Sequence, residues 1–135
     1  MPPGPRRSLR DYVADRLSQL SDLGGIVTGA HAIEFGTGDA TITGRVMLES
    51  ESSRGMLTVF EHLRVIDGRP RRWKYGYRLW VNGEQRVGYD RDPTGHPEMP
   101  EHKHVFGAER ERIPWQRVTL HEVGEEIWTF LRSEH

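Results

Sequence analysis

The chain has 135 residues, no cysteine and a formal net charge of −1. That length fits one domain with one modest core. The absence of cysteine excludes a disulfide framework, a thiolate nucleophile and Cys-ligated zinc, and the balanced charge gives no bulk attraction to a polyanion.

No apolar run approaches the length of a membrane span, and MPPGPRRS lacks the apolar stretch of a signal peptide. A cytoplasmic protein without membrane association is expected. Residues 1–7 read as a flexible basic arm, and residues 8–135 as a single domain.

Ser8 is a helix cap, with Asp11 three residues on. Leu9, Tyr12, Val13, Leu17 and Leu20 then follow helical spacing, and Gly24-Gly25 closes the helix. Residues 26–35 fit a short strand, and GTGD at 36–39 fits a turn. That GTGD lacks the strand–loop–helix context of a phosphate loop.

A meander of strands follows. Thr41–Glu49, Met56–Ile66, Arg71–Val81 and Gln85–Asp92 alternate apolar and polar residues, and Asp67-Gly68 and Asn82-Gly83 are hairpin turns. Tyr89 to His104 then reads as a polar loop stiffened by three prolines and rich in histidine and carboxylate. Arg110–Arg117 fits irregular chain or a short edge strand. Thr119 and Glu122 form a capping box, and Leu120, Val123, Ile127, Phe130 and Leu131 give the last helix its apolar stripe. The pattern implies an α+β fold: an antiparallel meander of four to five strands packed by N- and C-terminal helices.

Register sharpens the reading. A three-residue loop Asp67-Gly68-Arg69 with a bulge would pair Leu63 with Trp73, Glu61 with Tyr75, Val59 with Tyr77 and Leu57 with Leu79. A two-residue Asn82-Gly83 turn would pair Tyr75 with Asp90, Tyr77 with Gly88 and Gly76 with Tyr89. Glu61, Tyr75 and Asp90 would then share one row, with Lys74, Arg78 and Trp80 on the opposite face. Carboxylates on an apolar face are costly, and a functional site is a common reason to keep them. The plainer alternative is salt bridges to Arg86 or Lys74. Packing alone would explain Tyr77, and Trp115 and Trp128 read as core or interface anchors.

The same positions resemble a known family. Leu57-Thr58-Val59-Phe60-Glu61, then Tyr75-Gly76-Tyr77, Tyr89-Asp90, His96-Pro97-Glu98, His102-Lys103-His104 and the helix Leu120–Ile127 form an ordered series similar to the TumE-type toxins of bacterial and archaeal toxin–antitoxin pairs. The resemblance spans residues 40–132; Arg91 and Gly95 depart from it, where many relatives have an asparagine and a second histidine. It implies a small cytoplasmic toxin neutralised by a cognate antitoxin protein and acting on RNA, with a homodimer left open.

Three chemistries fit these residues. Metal-independent RNA cleavage would use Glu61, Tyr75, Asp90, His102 and His104, with Arg72, Arg78, Lys103 and His96 contacting substrate. No cofactor is then required. A divalent metal held by Glu61, Asp90, His102 and His104 is the alternative. The third reading is a binding module without turnover. The segment Arg69–Arg78 carries five basic residues with Trp73 and two tyrosines, a composition suited to single-stranded RNA and equally to a solvated strand face.

Overall fold

A computed structural model describes residues 8–24, 26–50, 53–95, 97–106 and 110–133, with the side chains of 26–31, 106, 110–114 and 133 left aside. The basic arm at 1–7 and His96 lie outside the described residues. Helix α1 (Leu9–Ser21) leads into strands β1 (Ile26–Phe35), β2 (Asp39–Glu49), β3 (Arg54–Ile66), β4 (Arg69–Val81), β5 (Glu84–Arg91), β6 (Glu101–Phe106) and β7 (Arg110–Pro114), and helix α2 (Leu120–Ser133) follows. The strands form one antiparallel sheet in sequence order, so the expected α+β meander with terminal helices is present. It has seven strands, more than the four to five read from the sequence. Among the described residues no helix is long and apolar enough to cross a membrane.

Local chemistry sets the element ends. The Asp11 amide donates to Ser8 Oγ at 3.1 Å. Thr119 and Glu122 exchange reciprocal bonds of 3.1 Å, the expected capping box. Asp67-Gly68 and Asn82-Gly83 all take positive φ, between 53° and 76°, as two-residue hairpins of the mirror-image type require.

Both helices cover one face of the sheet. Val13 and Leu20 of α1, and Leu120, Val123, Ile127 and Leu131 of α2, join Ile42, Val46, Leu57, Leu63, Tyr77, Leu79 and Tyr89 in one core. Each such side chain contributes about 1.5–3 kcal/mol on burial. The other face stays open, and two bulges decide which residues reach it.

The first bulge is in β4. The turn after β3 is the two-residue Asp67-Gly68, with Ile66 opposite Arg69, so the expected three-residue loop is not formed. Parity is restored inside the strand instead: Lys74 pairs with His62 and Arg72 with Leu63, leaving Trp73 as the extra residue. Glu61 still faces Tyr75, Val59 faces Tyr77 and Leu57 faces Leu79, as expected. The pairing of Leu63 with Trp73 is corrected; Arg72 takes the place on the helix side.

The second bulge is in β5. Trp80 pairs with Gln85 and Leu79 with Val87, so Arg86 is the extra residue. A one-residue shift turns every later side chain to the opposite face. Tyr77 now faces Tyr89, Gly76 faces Asp90 and Tyr75 faces Arg91. The shift buries Val87 and Tyr89 among the helices, which regular pairing would have left on the open side. It also carries Asp90 away from Glu61 and Tyr75, so the expected three-strand row does not exist.

Candidate active site

The open face gathers the groups that the helix face sheds. β6 is a strand, not part of the polar loop, because the prolines end at Pro100 and EHKHVF alternates freely beyond it. It pairs with β5 so that His102 lies opposite Asp90 and His104 opposite Gly88. Period-two alternation therefore aims both imidazoles to Asp90's side of the sheet and Lys103 to the other.

Asp90 is the centre of the group. His104 Nε2 lies 2.9 Å from its Oδ2, Arg78 Nη2 donates to the same oxygen at 2.9 Å, and His102 Nε2 stands 3.5 Å away. His102 Nδ1 is 3.1 Å from the Met99 carbonyl. A carbonyl only accepts, so Nδ1 carries the proton and His102 turns Nε2 toward Asp90. The two rings meet edge to face with centroids 4.7 Å apart. Among the described residues, buried Asp90 Oδ1 has no hydrogen-bond partner. Burial pushes the His104 pKa below its ordinary value; the Asp90 carboxylate opposes this, and His102 adds to it.

Beside these groups lies a cleft of about 530 Å³, lined among others by Thr58, Phe60, Lys74, Arg78, Asp90 and His104. Gly76 forms part of its floor. A side chain there would crowd Asp90, since a Cβ would lie 3.1 Å from Oδ1. Lys74 Nζ lies 3.5 Å from Asp92 at the rim, and Phe60 is 39% exposed. The site thus combines a carboxylate, two imidazoles, two cations and an aromatic edge.

Asp90, His102, His104 and Arg78 are the sequence-derived candidates that the fold brings together. One donor atom from each of Asp90, His102 and His104 lies within 4.8 Å of the others, a grouping that could hold a metal ion. His102 is 2% exposed, opposite Asp90 of β5 and with its Nδ1 on the Met99 carbonyl.

The other candidates lie on the helix side. Glu61 is fully buried and takes two 2.7 Å bonds from Arg16 Nε and Nη2, together with the Tyr77 hydroxyl. Neither Arg86 nor Lys74 is its partner. Burial pulls the Arg16 pKa down, but the Glu61 bond and charge outweigh it and leave the group above its ordinary value. Tyr75 stacks on Tyr77 with centroids 5.1 Å apart, and its hydroxyl accepts from the Val118 amide at 3.3 Å. Glu61 and Tyr75 are thus parts of the core, and Glu61 cannot join a metal shell with Asp90.

Arg72 and Lys103 are corrected too. Arg72 is buried, donates to the Tyr77 hydroxyl at 2.8 Å and to the Val118 carbonyl, and lies 4.2 Å over the Tyr75 ring. Lys103 donates to Glu126 at 2.9 Å and sits 4.6 Å over the Trp115 ring. Neither can touch a phosphate in the cleft. His96 lies outside the described residues. Trp115 is 37% exposed rather than a core anchor, whereas Trp128 ties α2 to the end of α1 through a 2.8 Å bond to the Leu23 carbonyl.

Sequence reasoning missed Lys74 and Phe60 as site residues, and Arg16 as the partner of Glu61. Arg16 had a signal: it shares the helical face of Val13 and Leu20 at three- and four-residue spacing, where a cation requires a buried anion.

Residues 26–135 match the model of the family described as Toxin TumE. The match begins before residue 40, so it takes in β1. No curated protein and no solved structure matches the chain.

Proposed function

The chain belongs to the TumE toxin family, and we propose on that footing that it acts by cutting RNA at Asp90 and His104 through metal-independent acid–base chemistry. The observation that carries this reading is the convergence of His104 Nε2 and Arg78 Nη2 on one oxygen of Asp90, each at 2.9 Å, beside an open cleft.

Asp90 accepts the Nε2–H of His104, which leaves Nδ1 as the basic nitrogen. RNA carries its own nucleophile. Nδ1 takes the proton of the 2′-hydroxyl, the 2′-oxygen attacks the adjacent phosphorus, and the 5′-oxygen departs and takes a proton from solvent. The products are a 2′,3′-cyclic phosphate and a 5′-hydroxyl. Arg78, whose side chain is 42% exposed, is long enough to pair with a phosphate oxygen while charge builds there. Lys74 adds a second cation at the rim. His102, 2% exposed in the cleft wall, positions Asp90 in this reading.

A toxin that cuts RNA must be held in check in its own cell, and a cognate antitoxin protein fits that need. The test is purified protein on single-stranded RNA in excess chelator. Cyclic phosphate and 5′-hydroxyl ends, absent with DNA of the same sequence and lost in His104→Gln, are expected. Ends bearing 5′-phosphate, or no cleavage by folded protein free of antitoxin, would refute the mechanism.

A further inference from the structure

His102 presents an arrangement that suits more than the positioning of Asp90. Its Nδ1 faces the Met99 carbonyl at 3.1 Å, which turns Nε2 toward the carboxylate of Asp90, 3.5 Å away. An imidazole nitrogen facing a carboxylate oxygen offers two ligand atoms to one cation. His104 Nε2 approaches the same oxygen at 2.9 Å, and the three ligand atoms lie within 4.8 Å of one another. A proton bridges two atoms; a metal ion bridges three.

We propose that Asp90, His102 and His104 form a binding site for a divalent transition metal, with zinc the best match. Zinc takes imidazole nitrogen and carboxylate oxygen at about 2.0–2.2 Å, so tetrahedral ligand atoms stand about 3.3–3.5 Å apart. The His102–Asp90 separation of 3.5 Å already has that value, and the His104–Asp90 contact of 2.9 Å needs only a small opening. Imidazole nitrogen favours zinc, nickel or copper over magnesium or calcium. A backbone carbonyl on the far nitrogen of a ligating histidine is the usual outer-shell support. Arg78 must leave Asp90 Oδ2, which its exposure permits, and Oδ1, buried without a partner among the described residues, can receive a donor in exchange. The fourth position faces the cleft.

The site overlaps the one assigned to RNA cleavage, but the binding does not depend on that reading. A metal would use the Nε2 atom and the carboxylate that together set the His104 tautomer. Occupancy and acid–base cleavage therefore exclude one another, and zinc acts as an inhibitor.

The experiment is calorimetric titration of the chelator-treated full chain with zinc chloride. One ion per chain at low micromolar zinc is expected, weakened at least about tenfold in His102→Gln and Asp90→Asn. His121→Gln and His62→Gln, which change histidines elsewhere on the surface, should bind as the wild type does. No saturable binding, or unchanged binding in His102→Gln, overturns the proposal. Should the site variants fail to fold, cobalt added to the wild type gives the same decision: intense visible bands of a tetrahedral ion support the site, and the spectrum of the hydrated ion alone overturns it. Cleavage measured alongside separates the two readings. Suppression by zinc with recovery in chelator upholds both. Cleavage that requires zinc keeps the site and ends the metal-free mechanism. Absence of cleavage under either condition ends the proposed function and leaves the titration to decide the site.

Discussion

Removing the Arg16 guanidinium should destabilise the fold far more than a typical surface change, and should do so without touching the cleft. Glu61 has no solvent exposure, and both its oxygens are held by Arg16 at 2.7 Å. In Arg16→Ala the carboxylate keeps the Tyr77 hydroxyl but loses its counter-charge. Breaking one side of a buried pair costs about 3–5 kcal/mol. Unfolding entropy of about 2.1 cal/mol/K per residue, over 135 residues, comes to about 0.28 kcal/mol/K. The melting temperature should therefore fall by about 11–18 °C. Replacing both partners, in Arg16→Met with Glu61→Leu, should recover to within about 1 kcal/mol of the wild type, because desolvating the pair consumes most of its attraction. The Tyr77 hydroxyl keeps a donor in Arg72 at 2.8 Å but loses Glu61 as the acceptor of its own hydrogen, which accounts for the remaining shortfall. Urea unfolding of the four proteins gives the coupling energy directly. A loss under about 1 kcal/mol in Arg16→Ala, or a double variant no better than the single, would refute the reasoning. RNA cleavage by the folded double variant should match the wild type, since Glu61 faces the helices.

Three further outcomes are expected. Gly76→Ala should stay folded yet cut RNA several-fold more slowly, since its Cβ would stand 3.1 Å from Asp90 Oδ1; unchanged turnover would show that Asp90 has room to spare. Arg78→Ala should weaken RNA binding and shallow its salt dependence by about one phosphate contact, with little loss of stability. Arg72→Ala should instead cost stability on the order of 2 kcal/mol or more by stripping donors from Tyr77 and Val118, and equal effects of the two on RNA affinity would contradict their opposite faces. Stability should also fall in alkali. Burial raises the pKa of Tyr77 and of Tyr89, with the Glu126 carboxylate adding to the latter. A group raised in the folded state contributes fully below its unfolded pKa of about 10 and loses that contribution as pH climbs above it. The urea midpoint should thus hold to about pH 9.5 and drop beyond pH 10, with a smaller drop in Tyr89→Phe; a flat profile would contradict the burial of both hydroxyls.

Much of the architecture was legible because it rests on local chemistry. The helix caps, the two Asx-Gly turns and the alternation of β2 to β5 are written in short stretches of sequence and reappear where expected. β6 was not, since prolines at 93, 97 and 100 made the whole segment read as a loop. The strand begins directly after the last of them. The site was legible in composition but not in arrangement. Residue type and order single out Asp90, His102, His104 and Arg78, and equally Arg72 and Lys103, while regular pairing sets Asp90 beside Glu61 and Tyr75 and puts Arg78 on the opposite face.

Both bulges had a cause visible in the apolar pattern. A two-residue Asn82-Gly83 turn with regular pairing sets Arg86 and Gly88 toward the helices and Val87 and Tyr89 toward water. Burying the two large apolar side chains gains about 3–6 kcal/mol, more than one bulged residue costs in lost ladder bonds at about 0.5–1.5 kcal/mol each. The apolar residues win, and Asp90 is carried to the open face as a consequence. The same competition in β4 turns Tyr75, Tyr77, Leu79 and Val81 to the helix side, where Arg72, set opposite Leu63 by the two-residue turn, donates to the Tyr77 hydroxyl and lies over the Tyr75 ring. Packing thus sorts the polar residues into two networks. One, centred on Glu61, is closed by Arg16 and Tyr77 and holds a helix to the sheet. The other, centred on Asp90, is left among the described residues with one oxygen without a partner beside a cleft, and the proposed chemistry rests on that network.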